Sequence, residues 1–248
     1  RSDCASSVAQ TSDGGYAVAG YTDSFGAGWS DFFVLKLASD GSFEWARTFG
    51  GSSNDYAYSI VQTSDGGYAV AGPAGSFGSG YDFLVLKLSS DGSLEWAKAF
   101  GGSGDDYAYS IVQTSDGGYA VAGPTDSFGA GGDDFLVLKL SSDGSLEWAK
   151  AFGGSDGDYA YSIVQTSDGG YAVAGETFSF GAGNADLLLL KLSSDGSLEW
   201  AKTFGGSSHD WAYSIVQTSD GGYAVAGPTE SFGAGWDLFL LKLSSDGS

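Results

Sequence analysis

The segment QTSDGGYAVAG recurs through the whole chain, its glutamine falling at Gln10, Gln62, Gln113, Gln165 and Gln217, a step of 51 or 52 residues. A repeat of that length constrains the fold more than any local propensity. Each unit is too small to bury its own apolar faces, so the units must stack into one array. Hydrophobic residues make up 42% of the 248 and aromatics 15%, enough for a core, so the 42 glycines do not signal disorder.

Within the repeat the pattern predicts four strands: Tyr107–Gln113, Tyr119–Gly123, Asp134–Leu140 and Leu146–Phe152. They are short, rich in Val, Ile, Leu and aromatics, and punctuated by turn residues. TSDGG joins the first to the second and SSDGS the third to the fourth, both suited to tight hairpin turns. The third strand is apolar on both faces, as a strand sandwiched between neighbouring sheets would be. In the fourth, Leu146, Trp148 and Lys150 are expected on one face, Glu147 and Ala149 on the other. No segment keeps a 3.6-residue period for three turns, which excludes a helical repeat.

Four antiparallel strands about every 50 residues are the pattern of a β-propeller blade, and five copies predict an all-β, five-bladed β-propeller. The blades cover roughly residues 1–50, 51–102, 103–154, 155–206 and 207–248 of a single domain. The combination of GG-x3-DYAYSI-x2-TSDGGYAVAG with DFLVLKL-x2-DG-x-LEWAKTFGG resembles the bacterial and archaeal SBBP-type β-propeller repeat over essentially the whole chain. The resemblance implies a propeller, usually of seven blades, in secreted and surface proteins of mostly unassigned role; the count of five comes from the repeats themselves. The Glu-Trp strand occurs at Trp45, Trp96, Trp148 and Trp200 only, so the last blade is expected to lack its outer strand. Asp237–Leu243 then becomes an open edge able to pair with another chain. Ring closure is expected from face-to-face packing of blade five on blade one. In blade one, Cys4, Ser6 and Val8 replace the Tyr, Tyr and Ile of the other copies.

Thirty-one acidic residues against ten basic ones give a net charge of −21, which repels nucleic acid and anionic lipid. No apolar run is long enough to insert in a membrane. Cys4 is the single cysteine, so no internal disulfide forms. The sequence contains no methionine and begins at Arg1, as expected of a mature form or a fragment, and an extracellular or cell-surface location is expected.

The tight turns are nearly invariant between copies, whereas variation gathers in the loop before the first strand and the loop between the second and third. Function carried on a rigid frame belongs in such loops. Asp3, Asp55, Asp106, Asp158 and Asp210 open the first strands and are candidate channel-mouth carboxylates; Asp31, Asp82, Asp134, Asp186 and Asp237 open the third strands. Crowded carboxylates could attract Ca²⁺, but no D-x-D-x-D-G loop is present, and capping of each Asp's own loop is the simpler reading. No metal or cofactor is therefore expected. After the loop glycines come Trp29, Tyr81, Gly132, Asn184 and Trp236. Trp29, Tyr81, Asn184 and Trp236, with the lone histidine His209, are the candidate ligand-binding residues, since aromatic faces beside polar acceptors suit a sugar.

Catalytic motifs are absent, and near-identical blades offer near-identical environments, whereas a hydrolase needs an acid and a base in different ones. Glu176 and Glu230 are acidic residues unique to one copy. The sequence thus predicts a non-enzymatic module binding a glycan or a protein. The alternative is a purely structural repeat, one piece of a larger protein or a sequence amplified or designed for symmetry.

Overall fold

The computed structural model describes residues 1–248, which are all β and form five antiparallel sheets. Sheet one comprises Asp3–Gln10, Tyr16–Thr22, Asp31–Leu37 and Phe43–Phe49. Sheet two comprises Ser59–Gln62, Tyr68–Ala74, Asp82–Leu88 and Leu94–Phe100; sheet three Ser110–Gln113, Tyr119–Thr125, Asp134–Leu140 and Leu146–Phe152. Sheet four comprises Asp158–Gln165, Tyr171–Thr177, Asp186–Leu192 and Leu198–Phe204, and sheet five only Ser214–Gln217, Tyr223–Thr229 and Asp237–Leu243. Strands pair in chain order within every sheet. The chain divides into two compact units, Arg1–Val121 with Leu140–Leu146, and Ala122–Lys139 with Glu147–Ser248.

Two strand expectations need correction. The first strand is shorter than expected in sheets two, three and five, where it starts only at Ser59, Ser110 and Ser214. Where it runs from its Asp, in sheets one and four, the register shifts between Ala5 and Ser7 and between Ala160 and Ser162, so this segment bulges away from its neighbour. The fourth strand also carries an irregularity: Lys191 pairs with Trp200 but Leu192 with Leu198. That extra residue breaks the expected alternation. Trp148 turns towards the next sheet while Leu146 stays exposed.

Sheets mate face to face through two different faces. In the first unit, Phe32 and Val34 of sheet one pack with Ile60, Tyr68, Leu84 and Leu86 of sheet two. In the second unit, Leu187 and Leu189 of sheet four pack in the same way with Ile215, Tyr223 and Leu243 of sheet five. A tryptophan from each outer strand completes the contact. Trp45 meets Tyr68 edge-on at 5.6 Å, Trp96 meets Tyr119, Trp148 meets Tyr171, and Trp200 meets Tyr223. Each indole also lies over the turn glycine of the sheet it contacts: a Cβ on Gly92 would come within 2.8 Å of Trp45, and Gly144, Gly196 and Gly247 sit likewise under Trp96, Trp148 and Trp200. The glutamine of the repeat ties the turns together, Gln62 accepting from Ser12 N–H at 2.7 Å, Gln113 from Ser64 N–H and Gln217 from Ser167 N–H.

In sheets one, two and four a buried lysine ties the first tight turn to the start of the outer strand. Buried Lys87 reaches Asp65 at 2.9 Å and Glu95 at 3.3 Å, and Lys36 and Lys191 repeat the arrangement. Burial works against the charged form of Asp65. Hydrogen bonds from Thr63, Lys87 and Gly67 outweigh it and hold the carboxyl at about 2 rather than 3.8; Asp168 is held at about 2 in the same way. In sheet five the outer strand is absent, and Lys242 keeps Asp220 as its ion-pair partner but is half exposed.

Leu238 and Leu240 on one face of sheet five are 79% and 68% exposed, and Val8 and Tyr16 on one face of sheet one are 65% and 38% exposed. Their counterparts elsewhere, such as Phe83, Val85, Ile111 and Tyr119, are buried. The expectation that Asp237–Leu243 forms an outer edge is met by the strand order.

Two outcomes follow. Depressed carboxyls stabilise the fold above about pH 3.8, and that stability is lost as the pH falls towards about 2. Chemical denaturation at stepped pH should show this loss between about pH 4 and 2, and D65N/D168N should have a shallower dependence; an unchanged slope would assign the acid sensitivity elsewhere. Hydrogen exchange should find the amides of Leu238–Leu243 less protected than those of Leu187–Leu192, and appending LEWAKTFGG after Ser248 should close the gap. Equal protection without the appended strand would mean the edge is already covered.

Candidate functional site

The loops that vary between copies end at aspartates, most of them buried. Asp55, Asp106, Asp158 and Asp210 are fully buried, so they do not line an accessible opening as expected of channel-mouth groups; Asp3 alone is exposed. Asp55 accepts from Gly51 N–H at 2.9 Å, Ser76 N–H at 3.1 Å and Ser76 Oγ at 2.6 Å. Asp210 accepts from Gly206 N–H, Thr229 Oγ1 and Ser231 Oγ. Burial pushes Asp210 up, but the bonds from Ser231 and Thr229 prevail and hold it low. These carboxylates cap loops.

The aspartates opening the third strands lie against them. A Cβ on Gly50 would strike both Asp31 and Asp55, and Gly101, Gly153 and Gly205 each face such a pair. This explains one glycine of the repeated Gly-Gly: the space it leaves is filled by two carboxylates. Burial raises Asp31, Asp82, Asp134 and Asp186, and in each case the neighbouring first-strand aspartate raises it further. Asp134 Oδ2 accepts from Ala130 N–H at 2.6 Å, while Asp134 Oδ1 and Asp158 Oδ1 have no hydrogen-bond partner. No three or more His, Cys, Asp or Glu side chains gather as metal ligands.

The candidate ligand residues fall into two groups. In the first unit Trp29, 76% exposed, and half-buried Tyr81 line a cleft of about 500 Å³ together with Ser53, Asn54, Gly75 and Asp105. Tyr81 is fixed in a stack of rings, 6.3 Å from Tyr56 on one side and 5.3 Å from Tyr107 on the other. Asp105 anchors the wall by accepting from Tyr81 N–H at 2.9 Å and from the Tyr107 hydroxyl at 3.2 Å. Burial, then Asp105, push the Tyr107 phenol well above its usual range. Trp29 and Asn54 also border a second cleft of about 450 Å³ with Arg1 and Asp23.

Gly75 explains why the cleft is there. The other copies carry Asp23, Asp126, Phe178 and Glu230 at this position. A Cβ on Gly75 would stand 3.4 Å from both the Tyr81 ring and Ser53, so any longer side chain would enter the cleft. Comparing the copies exposes this glycine, but only the fold shows that it faces Tyr81.

In the second unit, Trp236 stacks obliquely on Trp211 at 4.8 Å, and His209 lies between Trp211 and Phe178 at 6.3 and 6.2 Å. Beside them Glu176 accepts from the Tyr161 hydroxyl at 2.5 Å. Burial raises the Glu176 carboxyl, opposed by that bond and by His209. Asn184 is exposed and joins neither group. Trp211, Tyr56 and Tyr107 were not among the residues singled out from sequence, because they sit in strand-like YAY or WAY segments, where aromatics read as core; Phe178 sits in the variable loop, at the position of Gly75.

A family model described as a domain of unknown function (DUF5122) beta-propeller matches residues 63–95 and 166–199, in sheets two and four from the first turn to the start of the outer strand. Among solved structures, a protein of unknown function from Bacteroides caccae aligns over 100% of this chain and 80% of its own, with a TM-score of 0.61 at 15% identity. The Neurospora crassa Pan2 WD40 domain aligns over 98% of this chain and 63% of its own, with a TM-score of 0.64 at 12% identity. These likenesses concern the fold, and with the family model they place it among β-propeller repeats. The regulatory protein FlaEY of Caulobacter vibrioides is 26% identical over 215 residues, 76% of this chain; the match spans 22% of that protein's length.

One electrostatic outcome is sharp. Asp134→Asn removes a carboxylate that burial and Asp158 disfavour, and its amide could donate to Asp158 Oδ1. It should stabilise the fold at pH 7 by about 1 kcal/mol. The gain should vanish near pH 3, where the raised carboxyl is already protonated. Denaturant midpoints at the two pH values test this, and destabilisation at pH 7 would show that the Ala130 contact needs the charge.

Proposed function

We propose that the five sheets are propeller blades forming a non-enzymatic binding module, and that its ligand is a hydroxyl-rich glycan held in the cleft between Trp29 and Tyr81. The observation that carries this reading is the cleft itself. It opens at the single copy whose loop has Gly75, and it sets an exposed indole and a rigidly stacked phenol beside Asn54, Ser53 and Asp105. Aromatic faces take the C–H side of a sugar, and amide, hydroxyl and carboxylate groups take its hydroxyls. Asp105 spends both oxygens on Tyr81 and Tyr107, which suits a fixed acceptor better than a proton-transferring acid or base.

A glycan array with the parent protein is the direct test. Trp29→Ala and Gly75→Asp should each abolish retention while moving the melting temperature by no more than about 2 °C, since one removes an exposed ring and the other restores a residue type found in two sister loops. A parent protein that retains no glycan, or a G75D variant that binds as well as the parent, would reject the reading.

A further inference from the structure

The repeat is nearly uniform, so a residue carried in one copy only is not needed by the shared fold. Four such residues come together in the second unit. Glu176 stands where the other copies have Tyr21, Pro73, Pro124 and Pro228, and Phe178 where they have Asp23, Gly75, Asp126 and Glu230. His209 stands in place of Ser2, Asn54, Asp105 and Gly157, and Trp211 in place of Cys4, Tyr56, Tyr107 and Tyr159. Their rings join into one arc. Phe178 lies 6.2 Å from His209, His209 6.3 Å from Trp211, and Trp211 4.8 Å from Trp236 and 6.1 Å from Tyr213. Tyr213 meets Tyr161 edge-on at 5.4 Å, and the Tyr161 hydroxyl donates to half-buried Glu176 at 2.5 Å. Trp236 and Tyr213 are exposed, so the arc is open to solvent.

Two groups here are incompletely satisfied. Burial works against the charge of Glu176, Tyr161 occupies one of its oxygens, and the basic side chain acting on it is His209 rather than a lysine or arginine. Trp211 Nε1 is buried and has no hydrogen-bond partner, a defect that folding alone does not reward. We propose that this cluster binds an organic ammonium cation, of the size and kind of tetramethylammonium or a choline headgroup, against the rings centred on Trp211 and with Glu176 as its counter-ion. Aromatic faces attract a diffuse cation, and its N-methyl groups pack on them as a hydrated metal ion does not. A hard cation such as Ca²⁺ takes about six or more oxygens, and one carboxylate is on offer here. The site shares no residue with the Trp29–Tyr81 cleft, so this proposal and the glycan reading fail independently.

The seven indole N–H groups give a direct readout in proton–nitrogen NMR correlation spectra recorded at fixed ionic strength. Tetramethylammonium should move the Trp211 and Trp236 signals, assigned with W211F and W236F, with a Kd of about 1–10 mM, and leave Trp29 in place. Choline should do the same. Its neutral analogue, with carbon in place of nitrogen, should bind about tenfold or more weakly. Glu176→Gln keeps the shape and an acceptor for Tyr161 while removing the charge; it should weaken binding by a similar factor without lowering the melting temperature. Trp236→Ala, which removes an exposed ring, should weaken it as well. Equal binding of choline and its neutral analogue would overturn the proposal, as would a Trp211 signal that stays still up to about 100 mM cation. So would an E176Q variant that binds as well as the parent, or a Trp29 signal that moves as far as those of Trp211 and Trp236. A like response to Ca²⁺ at matched ionic strength would also overturn it, assigning the shifts to screening of the net charge of −21.

Discussion

The structure depends on the tryptophan that each outer strand lays across the next sheet. It touches a tyrosine edge-on and sits on a glycine that has no Cβ to obstruct it. The contact explains several residues at once: Trp in the fourth strand, Tyr at the start of the second, Gly in the SSDGS turn. It couples packing to turn chemistry, because the glycine must be both small and in the left-handed region, as at Gly92 with φ +79°. Sheet five has no outer strand: Asp237–Leu243 is its edge, and Lys242 keeps Asp220 as its carboxylate partner.

Much of this was legible in the repeat. The third strand, the fourth strand and both tight turns are where composition and period put them, since each is set by local rules of turn residues and apolar runs. The shortened first strand was not legible: YAYSIVQ reads as continuous strand, and only its register against the second strand shows the bulge.

The candidate site divides in a similar way. Exposed Trp29 and Trp236 could be picked out because they break the repeat in a loop. Their assignment to separate groups could not, nor could the role of Gly75, which acts by what it lacks. The aspartates mislead for a physical reason. A carboxylate at the head of an inner strand looks solvent-facing, yet a Gly-Gly pair and a serine supply enough backbone and hydroxyl donors to bury it completely.

The glutamine that spans neighbouring turns has a consequence for how the chain is made. Ser12 in the first turn finds its acceptor only in Gln62, and Ser64 only in Gln113, so each sheet is finished by a side chain from the repeat that follows it. On a ribosome adding about 5–20 residues per second, each sheet would wait several seconds for that partner to be synthesised. Maturation then moves along the nascent polypeptide as a wave lagging one repeat behind elongation.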